Sequence, residues 1–519
     1  MKKYISIMLT VLAIAGSSCK KTYLSELAAN PNTPGITTPG LQLSGALANT
    51  ATLTNGTYVN RYLLWDNYFS YSTGYQPSAA LLLYSITTST FDNWTSTYAV
   101  IANLNAILTS TSEPNYVGIA NIMLVYHFQE LVDQYNNVPY TQALQGIANL
   151  TPAYDNGSAI YDALLVRLDA AITTIQNAPA TAAFPGKFDV MFGATNAAGM
   201  AKWLQFANTL KLRLAIRQSS NSTVWAAKKA ALTASVNATS SLGYLTTSVE
   251  GSVNPGYTNT DALQPPIDLA YGFKATGGTA GSGAVYQANL YMVNQLIGNG
   301  TPLVPQDPRL FQIYQPSTTA NAGGQIAATY LGQTTAPQIN GKAATPSKFA
   351  TTQVLGPTRG APLILGSEAY FLQAEAVNLG LLTSANTAAS LYASGMAASF
   401  TEMGLSTTST TATAYFASYA YPVTTSFNGT TYASIAAAQE AAIMYEKWIA
   451  LCPFLPEEMY MEILRTGYPA VPLSILSGVT ATTYVKRSLY PAVEYNTNAN
   501  NVGAQGTIDQ YNSKIFWEN

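Results

Sequence analysis

The sequence predicts a mostly α-helical protein in which tetratricopeptide-like helix pairs form a scaffold, with long irregular insertions between them. Three observations support this fold class. Several long segments place apolar residues three and four positions apart, which is the spacing of an amphipathic helix. Strand signals are few and short. Residues 250–285 and 316–362 are rich in Gly, Pro, Thr and Asn, and loops of that length in a compact protein are usually functional or mobile.

The clearest helical periodicity lies at 202–218, in KWLQFANTLKLRLAIRQ. Its apolar face is expected to be core and consists of Trp203, Phe206, Ala207, Leu210 and Leu214. Lys211, Arg213 and Gln218 lie off that face, and we expect water to reach them. An earlier helix spans SAIYDALLVRLDAAITTIQ at 158–176. Ser158 is expected to cap it, because a serine side chain accepts hydrogen bonds from the first N–H groups of a helix.

Two later segments predict an antiparallel helix pair joined by a short turn. SEAYFLQAEAVNLG (367–380) ends at Gly380, and NTAASLYASGMAASFTEMG (386–404) ends at Gly404. Glycine is the usual residue just past a helix end. Small residues on the facing sides allow close approach of the backbones, as in a tetratricopeptide repeat. A third helical segment follows at 436–452, with one side formed by Ala441, Met444, Tyr445 and Trp448.

The N-terminus, MKKYISIMLTVLAIAGSSC, has the layout of a secretory signal: a basic start, an apolar run and small residues before a cysteine. We expect 1–18 to be a lipoprotein-type signal peptide with Cys19 as the lipid anchor. Residues 19–40 would be a flexible tether and 41–519 a single domain. Two alternatives are ordinary secretion with Cys19 left in a tail, and a disulfide between Cys19 and Cys452.

Charge is scarce in this chain. Asp, Glu, Lys and Arg make up 9% of the residues and the net charge is −2, whereas typical soluble domains carry about 25% charged residues. Without a basic stripe, nucleic acid is not an expected partner. No run of about 18 apolar residues follows Cys19, so nothing else is expected to span a bilayer. A neutral polar surface suits neutral ligands, although the composition could also be a habit of the source organism.

Residues for metal or acid–base chemistry are sparse. His127 is the only histidine, and we expect it in the core or at its edge rather than as a metal ligand. No metal and no cofactor are predicted. The acidic pairs Glu457–Glu458 and Glu130–Asp133 sit on helices, the latter on a face expected to be solvated. HExxH and GxSxG motifs do not occur. A glycosidase needs two carboxylates about 5–10 Å apart, and the sequence leaves that possibility open; we expect no enzyme.

An ordered set of motifs carries a family resemblance. The set comprises QYNNVPYTQALQG (134–146), LTPAYDNGSAIYDALLVRLDAAI (150–172), KWLQFANTLKLRLAIR (202–217), DPRL (307–310), ILGSEAYFLQAEAVNLG (364–380), YEKWIAL (445–451), EEMYMEILRTGYPAV (457–471) and RSLYPAVEYNTN (487–498). In this order and behind a cysteine signal, the set resembles the SusD/RagB family of outer-membrane lipoproteins. The resemblance covers roughly residues 40–500.

The resemblance implies a mostly helical nutrient-binding protein, anchored in the outer membrane through lipid and facing the cell exterior. Members of the family bind glycans, and some bind peptides, as the lid of a SusC-like TonB-dependent transporter. A pure protein-interaction scaffold is the alternative from another class, since repeat surfaces often bind proteins. Cys19-Lys20-Lys21-Thr22-Tyr23 departs from the acidic export signal that often follows the cysteine in this group, and the first acidic residue is Glu26.

The densest aromatic and amide stretch is RYLLWDNYFSYSTGYQPSAALLLY at 61–84. We expect the ligand face to be lined by Trp65, Asn67, Tyr68, Tyr71, Tyr75 and Gln76. Gly74 and Pro77 break any helix there, which predicts a loop for Tyr71 and Tyr75. Trp65 and Trp94, at helical positions, also fit the core. Weaker candidates from the central insertion are Tyr257 and Tyr271.

Overall fold

Helices account for most of the chain in the computed structural model, which describes residues 37–56, 59–71, 78–297, 306–315, 356–474 and 479–519. The α-helices are α1 Pro39–Asn55, α2 Asn60–Trp65, α3 Ala79–Leu82, α4 Trp94–Ser110, α5 Pro114–Tyr135, α6 Gly157–Gln176, α7 Ala197–Arg217, α8 Ser222–Thr239, α9 Pro266–Tyr271, α10 Leu290–Ile297, α11 Leu310–Ile313, α12 Gly366–Asn378, α13 Ala388–Glu402, α14 Thr410–Ser418, α15 Ile435–Leu451, α16 Pro456–Thr466, α17 Ala492–Thr497 and α18 Ala499–Gly503. The predicted mostly helical fold class is confirmed.

Short strands add three two-stranded antiparallel sheets to the described part of the chain. The strands are β1 Phe69–Tyr71, β2 Gly251–Val253, β3 Tyr286–Ala288, β4 Ala361–Ile364, β5 Ser426–Phe427 and β6 Thr430–Thr431. They pair as β1–β3, β2–β4 and β5–β6. Strand β2 and helix α9 fall inside 250–285, so the prediction that this stretch is irregular is wrong in part. Most of the other predicted insertion, residues 316–355, lies outside the described residues.

Helix α7 has the predicted core face, since Trp203, Phe206 and Leu210 are fully buried. The prediction that water reaches Lys211, Arg213 and Gln218 is wrong, because all three are at most 3% exposed. The helix is enclosed on both sides. Arg213 donates through Nε to Glu368 Oε1 on α12 at 2.9 Å, and Lys211 pairs with Asp169 on α6. Distant carboxylates therefore replace water around its polar face.

The helix ends test the predicted caps. Gly380 and Gly404 follow α12 and α13 with φ of 68° and 75°, and both predicted stops are confirmed. The predicted cap at Ser158 is wrong. Asn156 caps α6 instead, because its side-chain oxygen accepts from the N–H groups of Ser158 and Ala159 at 3.0 and 3.3 Å, and asparagine caps at least as well as serine.

Small residues bring α12 and α13 together, as predicted. A Cβ atom added at Gly395 on α13 would lie only 2.6 Å from Phe371 Cε1 on α12, so this close approach requires glycine. Helix α15 packs against both, and its predicted inner side of Ala441, Met444, Tyr445 and Trp448 is buried. The helix-pair scaffold is thus a packed unit of three helices at this point.

Much of the scarce charge lies inside the protein. Twenty of the 48 Asp, Glu, Lys and Arg residues are buried within the described part of the chain. The largest cluster joins α7 to α16, where Arg217 contacts Glu458 and Glu462 at 2.6 Å each. Arg465 contacts Glu375 on α12 at 2.6 Å. Buried charges require such partners, and their use here leaves an outer surface of mainly neutral polar groups.

The first described helix begins earlier than the predicted tether ends. Thr38 caps α1 by accepting a hydrogen bond from the Leu41 N–H at 3.3 Å, and Pro39 starts the helix. The predicted end of the tether at residue 40 is therefore wrong by one or two residues. The predicted signal peptide, Cys19 and most of the tether lie outside the described residues. None of the described helices is long and apolar enough to cross a membrane.

Candidate ligand-binding site

Four of the six residues predicted to line the ligand face lie in the interior. Trp65, Asn67, Tyr68 and Tyr71 are 5%, 2%, 0% and 2% exposed. Tyr75 and Gln76 lie outside the described residues. The prediction that Tyr71 sits on a loop is wrong, because strand β1 pairs with β3 and places Tyr71 opposite Tyr286. Gly74 and Pro77, whose turn signals motivated that prediction, lie outside the described residues.

Each of these buried side chains has an internal partner. Trp65 Nε1 donates to the Leu81 carbonyl at 3.0 Å, and the Tyr68 hydroxyl donates to the Trp448 carbonyl at 2.6 Å. Asn67 Nδ2 donates to the Pro472 carbonyl at 2.8 Å. A ring or amide in such a setting has no open face for a sugar. Direct ligand contact by this set stays a prediction.

The two weaker candidates differ from one another. Tyr271 is 2% exposed and packs its ring 4.9 Å from that of Tyr286. Tyr257 is half-buried and follows a turn in which its N–H donates to Asn254 Oδ1 at 2.9 Å. Only Tyr257 therefore retains accessible ring surface.

An open cavity of about 330 Å³, here called the aromatic pocket, lies between α10, the β5–β6 hairpin, α15 and the segment after α16. Its lining residues are Tyr291, Gln295, Phe427, Asn428, Thr430, Tyr432, Ala441, Tyr445, Tyr468, Pro469 and Ala470. Ligand pockets in proteins commonly enclose about 300–1,000 Å³ and combine apolar walls with a few polar groups. The aromatic pocket lies at the lower end of this size range and combines aromatic rings with amide and hydroxyl groups.

The rings of the aromatic pocket form a corner. Tyr432 and Tyr468 lie with centroids 5.7 Å apart and planes at 74°, and both are partly exposed. Phe427 and Tyr445, 5.7 Å apart, are more deeply buried. Burial raises the pKa of Tyr432 above its ordinary value, with a further contribution from Tyr468. The Tyr432 phenol is therefore neutral at physiological pH and can both donate and accept a hydrogen bond.

Polar groups stand at the rim of the aromatic pocket. Asn428 and Thr430 are exposed and Gln295 is partly exposed. Asn428 and Gly429 have φ of 46° and 74°, which suits a tight hairpin turn. FNGTTY (427–432) therefore carried an Asn-Gly hairpin signal between aromatic residues, and this signal was missed in the sequence.

The aromatic pocket lies next to the buried residues of the 61–84 stretch. Tyr291 packs 5.8 Å from Trp448, and Trp448 stacks on Tyr68 with centroids 5.8 Å apart and planes at 26°. Tyr68 is thus two rings behind the wall formed by Tyr291. The buried part of the 61–84 stretch therefore lies next to the aromatic pocket.

The carboxylates considered for catalysis stabilise the interior. Glu458 contacts Arg217, while Glu457 accepts a hydrogen bond from Gln134, and burial raises the pKa of Glu457 to about 8. The cavity beside them encloses only about 30 Å³, which is too small for a sugar. Asp133 is 3% exposed, so the prediction that Glu130 and Asp133 lie on a solvated face is wrong. Asp133 packs against Arg217 of α7 and Trp517 of the C-terminal segment.

His127 is a core residue, as predicted. It is fully buried, with Nε2 2.8 Å from Thr50 Oγ1 and Nδ1 2.9 Å from Glu130 Oε2. The described residues contain no group of three or more His, Cys, Asp or Glu side chains placed to hold a metal ion. Cys452 is a free, buried cysteine.

The helix-pair scaffold and an uncharged aromatic pocket define a class of helical ligand-binding protein. The family model described as "Starch-binding associating with outer membrane" matches residues 31–491. The chain therefore belongs to the SusD-like family, a family of binding proteins associated with the outer membrane, and the resemblance noted in the sequence is confirmed.

Solved structures share this fold. The structure of a chitin-binding protein matches with a TM-score of 0.72 at 20% sequence identity, and the match covers 93% of this chain and 100% of that protein. A SusD homologue from Bacteroides uniformis is 20% identical with a TM-score of 0.71, covering 92% and 99%. A chitin-binding SusD homologue from Flavobacterium johnsoniae is 21% identical with a TM-score of 0.68, covering 92% and 98%. A comparison with curated proteins found no match.

Proposed function

We propose that this protein is a glycan-binding lipoprotein of the outer membrane that acts as the lid of a SusC-like TonB-dependent transporter. The aromatic pocket is the observation that carries the binding part of the proposal. Membership of a family associated with the outer membrane supports the location. Two of the structural relatives are chitin-binding proteins, which supports a carbohydrate as ligand.

The pocket offers both kinds of contact that a sugar needs. The C–H face of a pyranose ring packs on aromatic rings, and the corner of Tyr432 and Tyr468 supplies two such surfaces at 74° to one another. Gln295, Asn428 and Thr430 supply amide and hydroxyl groups for the equatorial hydroxyls. Rigid aromatic walls with a few polar groups give orientation at low entropic cost.

A peptide ligand is the second candidate. Peptides can use the same rings, and the amides of Gln295 and Asn428 could bind their backbone groups. A glycosidase is less favoured, because the carboxylates of α16 are engaged in internal ion pairs and hydrogen bonds. A protein-interaction scaffold is less favoured because it leaves the aromatic pocket without a ligand.

Replacing both corner rings is expected to weaken glycan binding at least tenfold. Each stacked ring contributes on the order of 1 kcal/mol, and about 1.4 kcal/mol corresponds to tenfold in affinity. Calorimetric titration of the Tyr432→Ala, Tyr468→Ala double variant with the glycan bound by the parent protein measures the loss. Tyr495→Ala is the matched control, since Tyr495 is 42% exposed on α17 and lies outside the pocket. Equal affinity of double variant and parent would place the site elsewhere.

The originally predicted set keeps a part in this proposal. We propose that Trp65, Asn67, Tyr68 and Tyr71 hold the wall of the aromatic pocket from behind, and that Tyr75 and Gln76 remain candidates for direct contact. Because Tyr71 is buried, Tyr71→Ala would lower the melting temperature and could not serve as a pure binding test.

Cys19 is proposed to carry the lipid anchor, on the basis of the basic start, apolar run and small residues before it. Cys19→Ala is expected to move the protein from the membrane fraction to the soluble fraction of lysed cells. Cys452→Ala is the control, because Cys452 is buried in the folded part and its loss leaves the anchor intact. A Cys19→Ala protein that stays with the membranes would refute the anchor.

The lid role is tested by recovery of the native complex. Gentle solubilisation of the outer membrane followed by affinity capture is expected to recover a large TonB-dependent barrel protein with this chain. Recovery of the chain alone would favour a free binder.

A further inference from the structure

We infer that the aromatic pocket selects uncharged sugars and rejects ligands that carry an ammonium or a carboxylate group. The inference rests on the proposed function, since it specifies the ligand class of the same site. Its basis is that none of the eleven residues lining the pocket is Asp, Glu, Lys, Arg or His.

The elements that form the pocket either have no charged side chains or turn them inward. Helix α10, LYMVNQLI, and the hairpin SFNGTT contain none. On α15, Glu446 is fully buried and contacts Arg309 at 2.7 Å and the Tyr415 hydroxyl at 2.8 Å. Lys447 is fully buried and lies 3.7 Å from Glu462. Neither charge is available to a ligand in the pocket.

Glu440 and Arg465 are the other charged residues close in sequence to the pocket lining. Glu440 precedes the lining residue Ala441; it is partly buried, and its charge interacts with Arg465 and Glu462. Arg465 on α16 contacts Glu375 at 2.6 Å, and Glu462 as well. The Arg465 guanidinium is thus paired with carboxylates inside the protein, and Glu440 is the one charged side chain of α15 that stays partly exposed.

An ionic group that enters such a pocket loses water and gains no counter-charge. Burying a charge without a partner is strongly unfavourable, whereas hydroxyl and amide groups can be satisfied by Gln295, Asn428 and Thr430. Discrimination therefore comes from the missing counter-charge, which is a common source of specificity. The same reasoning favours glycans over short peptides, whose termini and many side chains are charged.

Paired trisaccharides test this inference with the full mature protein. Calorimetry compares triacetylchitotriose with its deacetylated form, which carries ammonium groups, and cellotriose with the counterpart whose terminal residue is a uronate. The neutral member of any pair that binds is expected to bind at least tenfold more tightly. Equal or tighter binding of the charged member would overturn the inference while leaving glycan binding intact. Failure of every sugar to bind would instead overturn the proposed function and this inference with it.

A designed charge provides an independent readout. Asn428→Asp places a carboxylate at the pocket rim, at a position whose φ of 46° aspartate tolerates. This variant is expected to bind the deacetylated chitotriose at least tenfold more tightly than the parent does. Asn500→Asp adds the same charge at an exposed position outside the pocket and is expected to change nothing. If both variants respond alike, the effect is one of net charge and the pocket is not the selective element.

Discussion

Trp203→Ala is expected to lower the free energy of unfolding by about 3–5 kcal/mol, the range for large aromatic residues removed from a core. Trp203 is fully buried on α7. Its ring lies 5.2 Å from that of Phe192 and 5.7 Å from that of Phe206. Its Nε1 donates to Asp189 Oδ2 at 2.8 Å, so the substitution removes a buried hydrogen bond as well as apolar contacts.

Denaturant unfolding followed by circular dichroism measures this cost. Trp225→Ala on α8 is the matched control, because Trp225 is only half-buried and its loss should cost much less. An unfolding midpoint for Trp203→Ala equal to that of the parent would mean that the core around α7 is not the one described here.

Features set by neighbours in sequence were predictable. The apolar stripe through Trp203 and the helix stops at Gly380 and Gly404 depend on spacing and on local backbone conformation, both of which can be read from a single segment. The pairing of α12 with α13 also follows from local facts, namely two short periodic segments and small residues between them.

The polar face of α7 was not predictable in the same way. Arg213 finds Glu368, which is 155 residues away, and Arg217 finds Glu462 at a separation of 245 residues. The spacing of residues in KLRLAIR does not distinguish a solvent-exposed charged side chain from one that pairs with a carboxylate distant in sequence. Scarcity of charge in the whole chain was the only hint, because a protein with few charged residues can keep many of them in internal pairs.

The same limit applies to the proposed binding site, the aromatic pocket. Its walls come from four segments between residues 291 and 470, and no single segment is as rich in aromatics as 61–84. Local aromatic density selected Tyr68 and Tyr71, yet the pairing of β1 with β3 turned that stretch into core. The local sequence signal within the aromatic pocket is a short Asn-Gly hairpin flanked by Phe427 and Tyr432.

Breaking the buried ion pairs of α16 is expected to lower stability in a pH-dependent way. Glu462→Gln on α16 is expected to cost about 3–5 kcal/mol at pH 7, because it leaves three buried cations with one counter-charge fewer. Glu462 is fully buried, 2.6 Å from Arg217 and 3.7 Å from Lys447, and also pairs with Arg465. Glutamine keeps the volume and one acceptor oxygen but not the charge.

The pH dependence of that cost distinguishes charge from packing. Burial alone would raise the pKa of Glu462, but Arg465, Lys447 and Arg217 together hold it well below its ordinary value. A carboxylate whose pKa is depressed in the folded state stabilises the protein fully at pH values above its unfolded pKa of about 4.3. This stabilisation is lost as pH falls towards the pKa of the folded state. The stability gap between parent and Glu462→Gln should therefore be constant from pH 8 to about pH 5 and shrink below pH 4.

An exposed pair serves as the control. Asp162→Asn breaks the contact of Asp162, whose side chain is 57% exposed, with Lys228 at 2.7 Å, and exposed pairs contribute only about 0–1 kcal/mol. Urea unfolding of the parent and both variants from pH 3 to pH 8 measures all three quantities. A gap for Glu462→Gln no larger than that for Asp162→Asn would mean that the buried network contributes little. A large gap that persists unchanged at pH 3 would assign the loss to packing, because the charge of Glu462 would then not be what stabilises the junction of α7 and α16.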